Sequence, residues 1–563
     1  MKKNLIIALT LAAPVCVAAQ TAVDAMSLTQ NDLRGTARFM SMAGAFTALG
    51  GDMSTLNQNP GGIGVYRSSD ISLTLDLNPQ SVKSVAGGFE DKTTQTKFGV
   101  NSFGYIGAVN TGSQTMPFFN WGVSYSRAAS FDRSYGGRLG NIGTSYTNLV
   151  ADYTNFDGFS QGVLGDKNAY SNGDAPWSSI LMYDGFGINP SAPGSNQFVG
   201  LYDYNATVGE GWYNINEKGH VDEYSINFGG NVMDILYWGI GFGITDIDFK
   251  QYAYYGESFY DCNVPSYRRD QATGNLDYSY IAPDLNNETP NTGDYGLTNY
   301  KHIWGSGFNF KAGVIVKPIN EFRIGIAVHT PTYYNLSYEG NATMAYGYNS
   351  PLYSESESDL LGNGETSTEW SGFDWKYQSP WRLMIGAAGV IGGRAIISAD
   401  YEYRAYSNMS VKDWEGYSYT DVNNDIKNYY QSTNIIRLGA EYRLTPSWSI
   451  RAGYSYETSP IKSDMLDYFG DQPQYVYTSG PYDDETQPSY TFNRSTSHIT
   501  CGVGYKYKNL YADMAYVYRH RSADYHAFTD YIENTEPHSL VWAPTASLSD
   551  NTSQIVLTLG VRF

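Results

Sequence analysis

The chain alternates between apolar and polar positions. In the stretch from Trp448 to Glu457, Trp448, Ile450, Ala452, Tyr454 and Tyr456 share one parity; Ser449, Arg451, Gly453, Ser455 and Glu457 share the other. Successive side chains of a strand point to opposite faces, so this segment predicts a strand with one apolar and one polar face. Ile436, Leu438, Ala440 and Tyr442 alternate in the same way with Arg437, Gly439, Glu441 and Arg443, and Leu444-Thr445-Pro446-Ser447 makes the turn between the two. Ala395, Ile397, Ala399, Tyr401 and Tyr403 alternate with Ser398, Asp400, Glu402 and Arg404. Leu510, Ala512, Met514, Tyr516 and Tyr518 alternate with Asp513 and Arg519. Leu236, Trp238, Ile240, Phe242 and Ile244 alternate with Gly239, Gly241 and Gly243. A soluble sandwich also alternates, but here Arg, Asp and Glu sit deep within the strands and the apolar face ends in Tyr and Trp. Charge inside and an aromatic-edged apolar face outside is the arrangement of a membrane barrel.

The pattern predicts an all-β fold: a transmembrane antiparallel β-barrel of about 14 strands. The spans are 70–79, 97–109, 118–130, 220–232, 235–252, 303–317, 321–338, 379–391, 394–407, 432–444, 447–457, 497–507, 510–522 and 552–563. An even count closes the ring and leaves no open edge in lipid. The connections alternate in length. Met233-Asp234, Pro318 to Asn320, Gly392-Gly393, Thr445-Pro446 and Lys508-Asn509 are tight. The segments 131–219, 253–302, 339–378, 408–431, 458–496 and 523–551 are long and read as extracellular loops. Short turns on one side and long loops on the other are expected of outer-membrane barrels. The connections 80–96 and 110–117 carry the weakest signal.

Composition agrees with this reading. Aromatics reach 15% and charged residues only 16%, with 51 Tyr and 59 Gly, whereas charged residues approach about a quarter of a soluble domain. The region after the leader has no run of roughly 20 apolar residues, so helices are not expected to span a membrane. A net charge of −20 argues against a nucleic-acid partner, which needs clustered Lys and Arg. At the N-terminus Lys2 and Lys3, the apolar run from Leu5 to Ala13 and the small residues Val17-Ala18-Ala19 make residues 1–19 a signal peptide. Val15 stands before Cys16, where a lipobox wants Gly, Ala or Ser, so lipidation is not favoured. Cys262 falls in a long loop and Cys501 in a strand, and neither has metal-site spacing.

Residues 20–69 do not alternate and cannot bury a core of their own. They either trail as a tail or fold inside the barrel, with residues 70–563 forming the wall. A ring of about 14 strands leaves a lumen wider than side chains fill, which favours a plug. Pro60 fixes its own φ and pushes Asn59 away from helix, so Asn59-Pro60-Gly61 is expected to bend stiffly and approach the wall, near Ser126 to Ser130 of the third strand. A kink there would make a lateral gate, with Ser126 and Ser130 as its candidate residues. Phe39, Met40, Met42, Phe46 and Met53 are candidate ligand-lining residues. The loop aromatics Trp177, Tyr202, Tyr204, Trp212, Tyr213, Tyr333, Tyr334, Trp370 and Phe373 are candidates for an outer apolar groove. The inward charges Arg323, Arg437, Glu441, Arg443, Arg451, Asp400, Glu402, Arg404, Asp513, Arg519 and Arg562 are expected to pair with one another and with Arg34, Arg38 and Asp52, since unpaired buried charge is costly.

The segment from Gly35 to Tyr66, with Ala43-Gly44-Ala45, Ala48 and Asn59-Pro60-Gly61, resembles the hatch of the FadL/TodX family of outer-membrane transporters. The stretch from Trp304 to His329, Ser379-Pro380-Trp381-Arg382 and Asp400-Tyr401-Glu402-Tyr403 are also similar to that family, and the loop 131–219 is longer than the family needs. The resemblance implies a hatch that closes the lumen and a monomer. It also implies a channel for hydrophobic small molecules such as long-chain fatty acids, by passive diffusion with lateral exit into outer-membrane lipid. Phe563, closing the apolar face of the last strand, resembles the signal read by outer-membrane assembly machinery. No cofactor or metal is expected, and no catalytic set: the chain has 7 His and neither GxSxG, HExxH nor a Walker loop. Two other readings remain open, a component or attachment shuttle of a protein-secretion system, which large acidic Tyr-rich loops would suit, and a passive porin.

Overall fold

A computed structural model describes residues 22–30, 32–270, 274–284, 289–462, 467–469, 472–474, 486–533 and 540–563. The predicted signal peptide and Cys16 lie outside the described residues.

Fourteen antiparallel strands close a ring. The first five are β1 (Asp70–Ala86), β2 (Phe89–Asn110), β3 (Phe118–Ser130, continued by Arg133–Ile142), β4 (Val208–Val232) and β5 (Leu236–Tyr260). Next come β6 (Thr292–Ile319), β7 (Phe322–His329, continued by Tyr333–Asn349), β8 (Arg382–Ile391, preceded by Ser371–Gln378) and β9 (Ala395–Arg404). The ring is completed by β10 (Thr433–Arg443), β11 (Trp448–Glu457), β12 (Tyr490–Tyr507), β13 (Leu510–His526) and β14 (Thr545–Arg562). Each strand pairs with the next, and β14 returns to β1 with Arg562 opposite Asp70. The expected spans are the lower, membrane-level parts of these strands. Several run much further out: β6 has 28 residues and β4 and β5 have 25 each.

The outward positions make the lipid face. Leu73, Ile226, Phe242, Ile244, Phe308, Ile324, Ile385, Ile397, Leu438, Ile450, Met514 and Leu557 are all exposed, on strands around the whole ring. Tyr403 and Tyr456 edge this belt on the loop side and Trp448, Tyr505 and Tyr507 on the turn side. Interfacial aromatics flanking an apolar belt define a transmembrane barrel of the bacterial outer-membrane kind; no described helix is long and apolar enough to cross a membrane.

The tight turns lie at 233–235, 392–394 and 508–509, with positive φ at Met233, Asp234, Gly392, Gly393 and Lys508. The turn expected at Pro318 to Asn320 sits slightly later, because Ile319 still pairs with Phe322. The expected connection 80–96 is instead the top of the β1–β2 hairpin, turning at Gly87-Gly88.

The expected loop 131–219 is largely structured. After the β3 continuation it forms a cap of four helices, Tyr146–Asp157, Gln161–Leu164, Ala169–Asn172 and Trp177–Asp184, and a small hairpin, Ile188–Pro190 with Phe198–Gly200. Leu149, Ile180 and Leu181 from the cap pack with Tyr213, Tyr255, Phe259, Tyr295 and Tyr525 from the inner faces of the strand extensions in one buried cluster.

Candidate functional site

Residues 22–30 and 32–65 lie against the inner face of the wall. They form α1 (Ala22–Leu28), α2 (Ala37–Ser41), α3 (Thr55–Gln58) and a 3-10 helix (Pro60–Val65). Thr36 caps α2 by accepting from Phe39 N, and its hydroxyl donates to Asp52 at 2.7 Å. The contacts reach strands around the ring. Ala37 N donates to Thr558 Oγ1 at 2.7 Å, Arg38 Nε to Glu441 at 2.9 Å, Thr47 N to Asp400 at 2.7 Å and Thr500 Oγ1 to Ser41 O at 2.9 Å. Glu441 also accepts from Arg451, which reaches Asp513, each at 2.6 Å. The expected pairing of inward charges with Arg38 is therefore present. Arg34 pairs with Asp32 and Asp76, and Arg562 with Asp70. Arg443 departs from the expectation: it is exposed at the turn end of β10.

Asn59-Pro60-Gly61 seats the segment on β5 and β6, not on β3. Asn59 Nδ2 donates to Thr47 O at 2.6 Å and to Val314 O at 3.3 Å, and Asn59 Oδ1 accepts from Gly61 N at 3.0 Å. Pro60 opens the 3-10 helix, where its missing N–H costs nothing. The backbones then touch: a Cβ at Gly239 would lie 2.1 Å from Pro60 O, and one at Gly61 would lie 2.8 Å from Gly313 O. The inward glycines of β5 and β6 thus leave room for the motif. The β3 wall is met by a different residue, Asn57, whose amide donates to Ser126 Oγ at 2.5 Å. Ser130 N donates to Asp32 at 3.2 Å.

Between these elements lies a cavity of about 120 Å³. Of the five candidate lining residues, Phe39 and Met53 line it. Met40, Met42 and Phe46 do not: all are fully buried in a cluster with Ala388, Ala515, Val517 and Val556 of the wall. Met40 on α2 and Met42 and Phe46 just after it pack directly on the strands. The loop aromatics do not converge on one groove either. Trp177 and Tyr213 belong to the cap core, Tyr334 packs in a second cluster with α1, and Trp370 is exposed.

The cavity wall is polar. Glu402 accepts from Arg382 Nε at 2.8 Å, Arg404 Nε at 2.7 Å and Arg437 Nη2 at 2.6 Å. Glu457 adds a longer contact to Arg404 at 3.6 Å. Three guanidinium groups thus face two carboxylates, and Arg437 Nη1 is buried without a hydrogen-bond partner. Lys311 pairs with Glu223, and His498 and Ser455 complete that side. Glu223 and His498 were not singled out by sequence, and Lys311 and Arg382 only as parts of stretches similar to a known family; the inward parity of all four was the available signal. A smaller polar cavity continues this one, sharing Asp32 and Arg34 with it, and a third shares Arg133 and Glu217 with the second.

The wall beside these cavities is incompletely paired. β2 and β3 pair from Asn110 opposite Phe118 up to Ser102 opposite Ser126. Above that, β2 pairs with β1, while β3 bulges at Arg127/Ala129 and its continuation pairs with β4. Asp91 meets Arg138 N at 3.0 Å at the top of the unpaired stretch. Lys97 Nζ and Asp132 Oδ1 stand 3.3 Å apart across it. Ser126 and Ser130 therefore stand at an interruption of the β2–β3 backbone pairing that borders the cavities.

Outside the membrane level, Glu257 of β5 anchors the cap. It accepts from Ser145 Oγ at 2.5 Å, Tyr146 N at 3.2 Å, Tyr295 OH at 2.8 Å and Tyr255 OH. Burial pushes its carboxyl above the usual range, against the pull of those donors.

Fold and site define a closed, internally occupied outer-membrane barrel with a polar cavity beside an interruption of the β2–β3 pairing. No family model matches the chain, and no curated protein matches it. Among solved structures it is similar to a Pseudomonas aeruginosa FadL homologue, at 12% identity and a TM-score of 0.49 over 95% of this chain and 99% of that one. It is also similar to the Pseudomonas putida toluene transporter TodX, at 13% identity and a TM-score of 0.42 over 95% and 99%. The Ralstonia pickettii toluene transporter TbuX is 14% identical, with a TM-score of 0.42 over 94% and 99%.

Proposed function

We propose that this chain is an outer-membrane channel for uptake of hydrophobic molecules of the long-chain fatty acid kind. Residues 20–69 act as its hatch, and passive diffusion ends in lateral exit between β2 and β3 into the bilayer. The observation that supports this reading is the interruption of the β2–β3 pairing at Ser126 and Ser130, set directly beside an internal cavity. A plain porin needs no such interruption. The cavity lining selects within the class. A buried guanidinium with a free N–H suits the carboxylate of an amphiphile through charge-assisted hydrogen bonding, with Phe39 and Met53 against the start of its tail. Arg437, Arg382 and Arg404 are the head-binding residues of this proposal. The test is mass spectrometry of lipids extracted from protein purified in mild detergent, from the wild type and from Arg437→Ala and Phe39→Glu. Fatty acid bound to the wild type and lost from both variants is the expected result. A wild-type barrel that carries no amphiphile would sink the proposal.

One observation favours a second reading, a component or shuttle of a protein-secretion system. The cap has its own buried core over the mouth, and Phe156, Trp414 and Tyr417 stand exposed beyond the membrane. Co-purification of a defined secreted protein that is lost when residues 143–207 are deleted would favour it, and unaltered fatty-acid binding in that deletion would favour the channel.

A further inference from the structure

The outer, lateral face of the wall carries a second groove, far from the lumen. It crosses β4, β5, β6, the β7 continuation and the short strand Asn363–Ser367 that pairs with it. The register explains its shape. Trp212 lies opposite Gly256, Gly256 opposite Gly296, Gly296 opposite Ala345 and Ala345 opposite Glu365. One row of the sheet thus has a floor of two glycines and an alanine, with an indole at one end and a carboxylate at the other. In the next row Tyr254 lies opposite Thr298 and Thr298 opposite Thr343. Cβ atoms at Gly256 and Gly296 would fall 2.7 and 2.6 Å from the Tyr254 hydroxyl, so the tyrosine ring lies flat across the glycine floor. Trp212 Nε1 donates to that hydroxyl at 3.2 Å and fixes the two rings together. The result is a trough of about 260 Å³. Four inter-strand steps of about 4.8 Å make it about 19 Å long.

Its polar groups are unspent. Asp294, Thr298, Asn363 and Glu365 line it and make no side-chain hydrogen bond or ion pair among the described residues. No Lys or Arg lines it. Gly296 stands about 40 Å along β6 from Phe308 of the apolar belt, at about 3.3 Å per residue. With a strand tilt of about 45°, that is about 28 Å above the belt. The groove faces sideways at this height, where saccharides anchored in the same membrane stand rather than lipid tails.

We propose that this groove binds a neutral oligosaccharide. A sugar ring has one apolar C–H face, which stacks on a flat aromatic surface, and a rim of hydroxyls, which donate to carboxylates and amides. Trp212 and Tyr254 supply the surface; Asp294, Asn363 and Glu365 supply acceptors. The carboxylates, with no basic residue among them, exclude sulfated and sialylated chains by like charge. The length admits a short run of sugars rather than a single one.

The test uses the full-length protein in detergent on an array that carries neutral bacterial-surface saccharides, neutral plant and animal oligosaccharides, and sulfated and sialylated chains. Retention of neutral oligosaccharides is expected, weakened about tenfold or more in Trp212→Ala and in Gly296→Leu, which fills the trough. Heat-modifiable migration of both variants on a gel verifies that each barrel is folded. Retention in either neutral arm supports the site, and the arm identifies the source. Retention confined to charged chains, no retention, or retention unchanged in both folded variants overturns it.

Discussion

Asn57 of the N-terminal segment donates its side-chain amide to Ser126 Oγ at 2.5 Å, at the last rung where β2 and β3 pair. The internal segment is thus tied by a side-chain bond to the point where the β2–β3 pairing stops. Such a bond has a net worth of about 1 kcal/mol, a roughly fivefold change in an open population. Asn57→Ala is therefore expected to speed fluorescent fatty-acid uptake into proteoliposomes severalfold. An unchanged rate would detach this contact from gating.

The proposed lateral route can be blocked. Lys97 and Asp132 face each other across the unpaired stretch at 3.3 Å. With Cys501 replaced by Ser, Lys97→Cys and Asp132→Cys joined by a short bis-maleimide should abolish uptake, and the unlinked double variant should retain it. Full uptake through the linked protein would mean that the exit lies elsewhere.

Glu402 holds three arginines and is fully buried. Removing one partner of a buried ion pair typically costs about 3–5 kcal/mol. Glu402→Gln should lower the thermal midpoint, and a medium-chain fatty acid should raise the variant's midpoint more than the wild type's, because its carboxylate replaces the missing charge. Equal shifts in the two proteins would argue against a head-binding role for the cluster.

Gly239 has no room for a side chain: its missing Cβ would lie 2.1 Å from Pro60 O. Gly239→Ala should displace the Asn59-Pro60-Gly61 turn at a cost of about 1–3 kcal/mol. Hydrogen exchange read by mass spectrometry should then show faster exchange over residues 55–65, with the wall unaffected.

Burial raises the Glu257 carboxyl above its ordinary value of 4.5. An acid with a raised folded-state pKa contributes most to stability below its unfolded value, and that contribution falls as pH rises through the folded value. Exchange protection of residues 146–157 should therefore decline upward from about pH 4.5. Glu257→Gln should remove the pH dependence and loosen the cap by about 1–3 kcal/mol, since four donors lose their carboxylate. A cap whose protection is independent of pH in the wild type would refute this.

The membrane-level wall was legible because lipid imposes a two-residue period: Ile450 outside and Arg451 inside cannot be exchanged. Above the membrane that contrast fades. On β5, Tyr252 and Tyr254 face water while Tyr255 and Phe259 face the cap core, so both parities read as aromatic and the extension looks like loop. The β1–β2 hairpin top failed for the opposite reason, since Lys92, Thr93, Thr94, Gln95 and Thr96 are polar on both faces. Of the site, the inward arginines were legible from parity. The partner of Asn59 was not, because nothing local distinguishes the inward glycines of β5 and β6 from those that merely turn. Met40, Met42 and Phe46 show the same limit: an adaptable apolar side chain serves a wall contact as well as a pocket.

The pairing of Asp70 with Arg562 also sets an order of assembly. The ring cannot be sealed until its final strand has been made, so closure waits for the whole chain. Ala37 N is bonded to Thr558 Oγ1 on that same final strand. The first described segment is thus tied to the same strand that seals the ring, as well as to strands made before it. A chain lacking β14 would lose its seal and, with it, one of the bonds that hold the interior segment to the wall.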